Sequence, residues 1–417
     1  MPQQRWLRII PAALITYTIA YIDRVNVSMA LPSLSRDLHM DSAQAGNVAG
    51  IFFWGYLLLQ IPGGHIANRW SAKRFISILL FAWGIAAVGC GLVRTWHELW
   101  IMRLLLGITQ GGVFSATLVL ISHWFPRGER ARANALWLIC GPIALIISSP
   151  LSGWILDHWS WRVMLISEGA LPFAWLIIFN MLIYDHPRDA RWISAEECAY
   201  LEETLQRQGA ELERVQPEPT LRAICRPQVL LLVLIYFLRM STEVGFLMWL
   251  PSALEKARKL SSAGVGGLAT LPFAVAIVAM LVNSWHSDKT GERRGHVAVP
   301  FALGGAFLLI GVSLSQSCPA VAFVFVCLTT IGTYGPLGPF WAIPTETLSR
   351  DVAATTMGVI TALGSLGGFF GPVAIGYLNK YEGNFQHGFG LIGFALLVIS
   401  VLCLKITNVR ESAAVGT

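Results

Sequence analysis

The chain is predicted to be an all-α polytopic membrane protein, with twelve transmembrane helices forming two pseudo-symmetric six-helix bundles. Three observations predict this. Its 417 residues are 55% hydrophobic and only 13% charged, about half the charge of a soluble domain, and the mean hydropathy is +0.59. The apolar residues gather into twelve runs, each close to the roughly 20 residues a helix needs to cross a bilayer. The two halves of the chain also echo each other at a nearly constant offset.

The first six runs lie near 7–30, 45–66, 75–93, 99–120, 134–156 and 163–184. The second six lie near 229–250, 264–287, 297–316, 319–342, 353–378 and 385–406. Gly and Pro recur inside them, as membrane helices tolerate. The short alternating segments of a membrane barrel are not seen. Arg5 and Arg8 ahead of the first run imitate a signal peptide. Asp23-Arg24 within the run, and the lack of an A-x-A-like cleavage site, argue that it is retained. Sixteen Trp suit the interfacial belts of a membrane protein.

Lys and Arg set the orientation. With the N-terminus in the cytoplasm, twenty of the thirty fall on the inner side and seven on the outer side. Arg24, Arg103 and Arg239 remain within the membrane. This asymmetry predicts cytoplasmic termini. Net charge +6 and a pI near 9.0 are explained the same way. The basic residues sit in short gaps between apolar runs, so no nucleic-acid partner is expected.

Residues 1–184 are expected to form the first bundle, 185–228 a cytoplasmic linker and 229–417 the second bundle. Within the linker, Ser194 and Glu197 have the spacing of a capping box opening a short amphipathic helix. The echo between halves is specific. Leu31-Pro-Ser33 recurs as Leu250-Pro-Ser252, an offset of 219, and the loop Gly64–Arg74 recurs as Ser284–Arg294, an offset of 220. A parallel repeat of this kind marks the halves of many secondary transporters.

Other classes are disfavoured. The seven Cys are scattered, without a CxxC pair or clustered His, so neither a disulfide framework nor a metal site is expected. No G-x-x-x-x-G-K-[ST] loop is present to bind ATP, and neither HExxH nor GxSxG is present. The chain is therefore not expected to be an enzyme or to carry a cofactor. A membrane sensor would need a larger soluble output domain than the linker.

Charged residues inside apolar runs are the candidates for chemistry, since each costs roughly 2.5–3.5 kcal/mol at the bilayer centre. Asp23 and Arg24 are adjacent in the first run. Arg24 suits a carboxylate, which a guanidinium binds through two charge-assisted hydrogen bonds. Asp23 suits a proton. The alternative is a permanent ion pair that only holds the helix. Arg103 and Gln110 lie two turns apart on one face of the fourth run; Arg103 alternatively snorkels to headgroups. Arg239 and Glu243 lie at i and i+4 in the seventh run. Either Glu243 carries a proton, or the pair neutralises itself and never titrates.

The loop motifs resemble the major facilitator superfamily. Its Gly-x-Leu-Ala-Asp-Arg-x-Gly-Arg-Arg signature is matched between the second and third runs by Gly64, Ile66, Ala67, Asn68, Arg69, Lys73 and Arg74. Asn68 replaces the usual Asp and Ser71 the usual Gly. A second copy keeps Asp288, Lys289, Gly291, Arg293 and Arg294. Tyr21-Ile-Asp-Arg-Val-Asn26, Gln60-Ile-Pro-Gly-Gly64, His123-Trp-Phe-Pro-Arg-Gly-Glu-Arg130 and Phe340-Trp-Ala-Ile-Pro-Thr-Glu346 resemble the anion:cation symporter branch. Within it, the chain resembles bacterial sugar-acid permeases, for instance those of D-galactonate, tartrate and rhamnonate type. The resemblance covers essentially the whole chain.

It implies proton-coupled import of a small hydroxylated organic anion across the bacterial inner membrane by alternating access, with a monomer expected. It places Arg24, Arg103, Gln110, Tyr21, Tyr56, Trp341 and Thr361 at the substrate, and Asp23, with Glu243 added from this chain, at the proton. Asn68, Arg69, Asp288 and Arg293 fall in the gating loops. Gln110 departs from the sugar-acid permeases, which usually have Glu there. A Gln binds hydroxyls but carries no proton, so an uncoupled carrier or exchanger is one alternative. A drug exporter is another, which the three intramembrane Arg argue against.

Overall fold

The computed structural model describes residues 4–138, 140–213, 226–258, 261–347 and 350–406. Among them there are helices and turns but no strand. The first half comprises α1 (Gln4–Asp37), α2 (Ser42–Gly50), α3 (Phe52–Arg69), α4 (Ala72–Leu92), α5 (Trp96–Trp124), α6 (Arg127–Leu138), α7 (Cys140–His158), α8 (Trp161–Gly169) and α9 (Leu171–Leu182). Then come α10 (Ala195–Glu213), α11 (Pro227–Arg258), α12 (Ser262–Thr290) and α13 (Arg294–Leu314). The chain continues with α14 (Pro319–Leu328), α15 (Thr330–Tyr334), α16 (Leu337–Thr347), α17 (Arg350–Ser365), α18 (Gly367–Glu382) and α19 (Gln386–Cys403).

Nine spans among the described residues are long and apolar enough to cross a bilayer. The pair Ser42–Gln60 and Pro62–Arg69, bent by 41°, makes a tenth if taken as one span. Proline removes a helix hydrogen bond and bends the chain there. Two of the twelve apolar runs remain. One is the shorter apolar helix Ile143–His158. The other lies in α1, 34 residues long, whose mid-helix charges dilute its hydropathy. The protein is a multi-pass membrane protein of helices.

The helices gather into two compact units. The first takes the described residues of Met1–Val27, Trp54–Ser148 and His158–Gln216; the second takes those of Ser28–Phe53, Ser149–Asp157 and Pro217–Thr417.

In the first unit α4 packs on α5, α8 and α9. A Cβ on Gly111 of α5 would collide with the Tyr56 carbonyl oxygen, and one on Gly55 of α3 with that of Leu104. The two backbones therefore touch. Buried Arg5 anchors the start of α1. Its Nη1 lies 2.5 Å from Glu197 and its Nη2 2.8 Å from Glu129.

This anchor changes the expected capping box. The Ser194 hydroxyl does accept the Glu197 N–H at 3.3 Å. The Glu197 carboxylate, however, turns to Arg5 and to the Gln4 N–H, and the Ser194 N–H donates to the Gln4 side chain instead. A charge-assisted pair outweighs the neutral back-bond of a capping box.

In the second unit α11 packs on α17, α18 and α19, and α13 on α14 and α19. Two first-half segments belong to this unit, at the end where α1 finishes. Asp157, near the end of α7, accepts the N–H groups of Ser262 at 2.7 Å and Ala263 at 2.9 Å. A carboxylate there complements the positive end of α12. A Cβ on Gly266 would collide with the Ser149 carbonyl oxygen, so α7 and α12 meet backbone to backbone. Asp41 caps α2 and lies 3.0 Å from Lys380 of α18. Burial opposes ionisation of Asp41, but the Gln44 N–H and the Lys380 ammonium hold its carboxyl below the usual range. The contact is thus complete above the ordinary carboxylate range and is lost only as pH falls through that lowered value.

Candidate functional site

Tyr17, Tyr21 and Arg24 fall at i, i+4 and i+7 on α1, so they share one face. Arg24 is 8% exposed. Its guanidinium carbon lies 4.7 Å from the Tyr21 ring centroid, 4.9 Å from that of Tyr56 and 6.0 Å from that of Tyr17. The hydroxyls of Tyr17 and Tyr56 are hydrogen-bonded at 2.9 Å. The Trp137 ring, from α6, lies 5.1 Å from Tyr17 and 5.2 Å from Phe114 of α5. A guanidinium over aromatic faces is favoured by cation–π attraction, the more so when desolvated. The rings fix it within an apolar interior and present hydroxyl groups around it.

Asp23 points elsewhere, because successive helix residues are turned by about 100°. It is 2% exposed. The Trp83 indole N–H of α4 donates to its Oδ2 at 2.7 Å. Among the described residues Oδ1 has no partner. A small cavity beside it is lined by Asn26, Cys90, Leu99, Arg103 and Leu106. Arg103 is 1% exposed, so it does not snorkel. Its Nη1 and Nη2 donate to the backbone carbonyls of Asp23 at 3.3 Å and Arg24 at 3.4 Å. Arg103 thus ties α5 to α1 where the two charges sit.

Two turns further along α5, Gln110 is 1% exposed, and neither its oxygen nor its nitrogen has a partner among the described residues. The same holds for the indole nitrogen of Trp137, which is fully buried. Buried polar groups are nearly always satisfied, and leaving one unmade costs about 1–3 kcal/mol. A donor and a donor–acceptor amide in the unit that holds a caged cation suit a hydroxylated anion.

The second unit holds the other candidates. Arg239 Nη2 lies 2.5 Å from Glu243, and Arg239 Nε donates to the Thr333 carbonyl at 3.1 Å. The Arg239 guanidinium carbon lies 5.4 Å from the Tyr236 ring centroid. That ring is 5.2 Å from Trp341. Thr361 donates its hydroxyl to the Met357 carbonyl of its own helix at 2.7 Å. Asn68 and Arg69 end α3 and are exposed. Arg293, just ahead of α13, pairs at 2.7 Å with Asp288 in the last turn of α12. Among the described residues no three His, Cys, Asp or Glu side chains converge as a metal site needs.

The structure therefore brings together Tyr21, Arg24 and Tyr56, sets Arg103 against the backbone beside them, and groups Arg239, Glu243 and Trp341 around Tyr236. Tyr17, Trp83 and Trp137 join these groups without having been singled out from the sequence. The available signal was the i, i+4, i+7 spacing of Tyr17 with Tyr21 and Arg24. Trp137→Phe keeps the ring but removes the unpartnered N–H. It should raise KM for a hydroxylated anion about 5- to 10-fold, the equivalent of one hydrogen bond, with little change in kcat. An unchanged KM in initial-rate uptake would show that the indole faces no substrate.

Residues 13–372 match the Major Facilitator Superfamily. A protein from Agrobacterium vitis, named as a candidate tartrate transporter, is 31% identical over 97% of this chain and 91% of its own length. A quinolone resistance transporter from Acinetobacter baumannii is 28% identical over 94% of this chain and 91% of its own. A bacterial homologue of the human lysosomal transporter Spinster, solved in an inward-facing and unoccupied conformation, superposes with a TM-score of 0.79 at 17% identity, covering 99% of both chains. The family is one of transporters, not enzymes, and this chain belongs to the major facilitator superfamily.

Proposed function

We propose that the protein imports a small hydroxylated organic carboxylate, of the sugar-acid or tartrate class, together with protons. The observation that carries this reading is Arg24, buried among the three rings of Tyr17, Tyr21 and Tyr56. A fixed, desolvated guanidinium selects an anion and recognises a carboxylate by its fork of N–H groups. The unpartnered Gln110 amide and Trp137 N–H supply donors and an acceptor for hydroxyls. The relative named for tartrate agrees with this chemistry.

Asp23 is the proton carrier in this reading. The Trp83 indole N–H steadies one carboxylate oxygen, while the other has no partner among the described residues, in a residue that lines a small, mostly apolar cavity with Asn26 and Arg103. Glu243 is the second acid. It supplies the carboxyl that Gln110 lacks. The halves 1–184 and 229–417, joined by 185–228, work as two six-helix bundles that expose the site alternately to each face. The protein sits as a monomer in a bacterial inner membrane with both termini in the cytoplasm. The loops of Asn68, Arg69, Asp288 and Arg293 serve the inner gate.

A second reading is favoured by the quinolone resistance relative. Quinolone drugs also carry a carboxylate, so Arg24 suits both, and the direction of transport separates them. The test is uptake of labelled tartrate, galactonate and a quinolone into proteoliposomes under an inward proton gradient, with and without protonophore. Tartrate or galactonate accumulation that collapses with protonophore is the expected result. Equilibration without accumulation would remove the coupling. Quinolone movement against the proton flux, with neither acid transported, would replace import with export.

A further inference from the structure

An acid kept inside a membrane helix marks function by default, and one such acid has no role in the transport proposed above. Glu168 lies in the span Trp161–Leu182 and is 2% exposed. It is the penultimate residue of α8. That is the negative end of a helix dipole, the unfavourable end for a carboxylate. The stability of α8 therefore does not account for Glu168.

Its surroundings point to Asp23. A Cβ on Gly169 would lie 2.8 Å from the Ala87 carbonyl carbon and the Val88 nitrogen. Helices α8 and α4 thus meet backbone to backbone beside Glu168. Ala87 is one helical turn from Trp83, whose indole N–H donates to Asp23. Leu165, one turn before Glu168 on α8, lines the same small cavity as Asp23, Cys90 and Arg103. The carboxyl groups of Glu168 and Asp23 act on each other through space.

The groups around Asp23 can be named. Among the described residues, Trp83 of α4, Arg103 of α5 and Glu168 of α8 act on its carboxyl, and the Cys90 thiol of α4 faces both Asp23 and Arg103. Arg103 directs Nη1 and Nη2 to the backbone carbonyls of Asp23 and Arg24. Arg24 itself is turned to the tyrosine rings. Arg103 alone would make Asp23 a fixed anion. A second carboxylate changes this, because two like charges in one desolvated site cannot both ionise without cost.

We propose that Glu168 is a positioning residue for the transported proton, holding it on Asp23 so that Asp23 cycles between acid and carboxylate instead of staying ionised beside Arg103. The charges balance. Proton uptake converts the Asp23 carboxylate to the acid and takes the two side chains together from two negative charges to one; release reverses the step. Glu168 acts through its charge and forms no bond to the proton. This deepens the proton-coupled reading above and rests on it.

The test is initial-rate tartrate uptake by the full chain in proteoliposomes, with equal pH on both faces, from about pH 5 to 9. Wild-type uptake should fall as pH rises and Asp23 loses its proton. Glu168→Gln removes the like charge at nearly unchanged shape. It should move the midpoint about one pH unit towards acid, a tenfold change in proton affinity. Glu168→Met, apolar and of similar length, should give the same shift, and it replaces the amide variant if that one fails to fold. Glu168→Asp restores the charge and should recover most of the wild-type midpoint. Asp23→Asn should show no midpoint, and adding Glu168→Gln to it should leave the profile unchanged. A wild-type midpoint in Glu168→Gln or Glu168→Met, at whatever rate, would overturn this inference alone and leave Glu168 a packing residue. Wild-type uptake independent of pH, without accumulation under a proton gradient, would overturn proton coupling and the inference with it.

Discussion

Replacing Arg24 with Gln is expected to abolish measurable uptake while leaving the protein folded and in the membrane. A carboxylate that loses its buried guanidinium partner costs about 2–5 kcal/mol, roughly 30-fold to several thousand-fold in kcat/KM at 1.4 kcal/mol per tenfold. The fold should survive, because the Tyr17–Tyr56 hydrogen bond and the Tyr17–Trp137 contact do not need the cation. Arg24→Lys should fall between, since an ammonium restores charge without the fork. Initial-rate uptake with a thermal-melt control measures both variants. Uptake by Arg24→Gln within threefold of wild type would remove Arg24 from the substrate.

Asp23→Asn is expected to separate accumulation from movement. An amide is nearly isosteric and its oxygen still accepts the Trp83 N–H, so α1 and α4 remain in contact. It cannot gain or lose a proton. The variant should therefore fail to concentrate tartrate under an imposed proton gradient, while exchange of labelled for unlabelled tartrate continues at a rate close to wild type. Loss of both would make Asp23 a structural or substrate residue. Retention of both would assign coupling to Glu243 alone.

Membrane architecture was legible because a bilayer-spanning helix needs a long apolar run, and such runs can be counted. Arg24, Asp23, Arg103, Arg239 and Glu243 were legible for the complementary reason. A charge in an apolar run stands out in one sequence. Tyr17, Trp83 and Trp137 did not, because an aromatic residue is as usual facing lipid as facing a site. Which of the two holds depends on how each helix is rotated against its neighbours. Gln110 was singled out for the carboxylate it replaces, but that its buried amide has no partner among the described residues is seen only in the fold.

Arg5 shows a related limit. Counted by itself, it is one of many basic residues that set orientation. Its role as anchor depends on Glu129 and Glu197, which are distant in sequence. The same contact explains why Ser194 and Glu197 form only half of a capping box. The Asp157 contact with α12 likewise joins groups 105 and 106 residues apart, beyond any local pattern.

The backbone contacts at Gly111 and Gly266 also bear on how such a chain can diverge. At both positions a single added carbon meets a carbonyl oxygen of the neighbouring helix, so almost any substitution disturbs the helix pair. Tyr21, Gln110 and Trp137 instead contribute side chains, which can be exchanged without moving a backbone. Under the proposed function, inheritance of a working scaffold and acquisition of a new cargo are written at different positions. A library confined to Tyr21, Gln110 and Trp137 could explore cargo without touching the glycines that let helices meet.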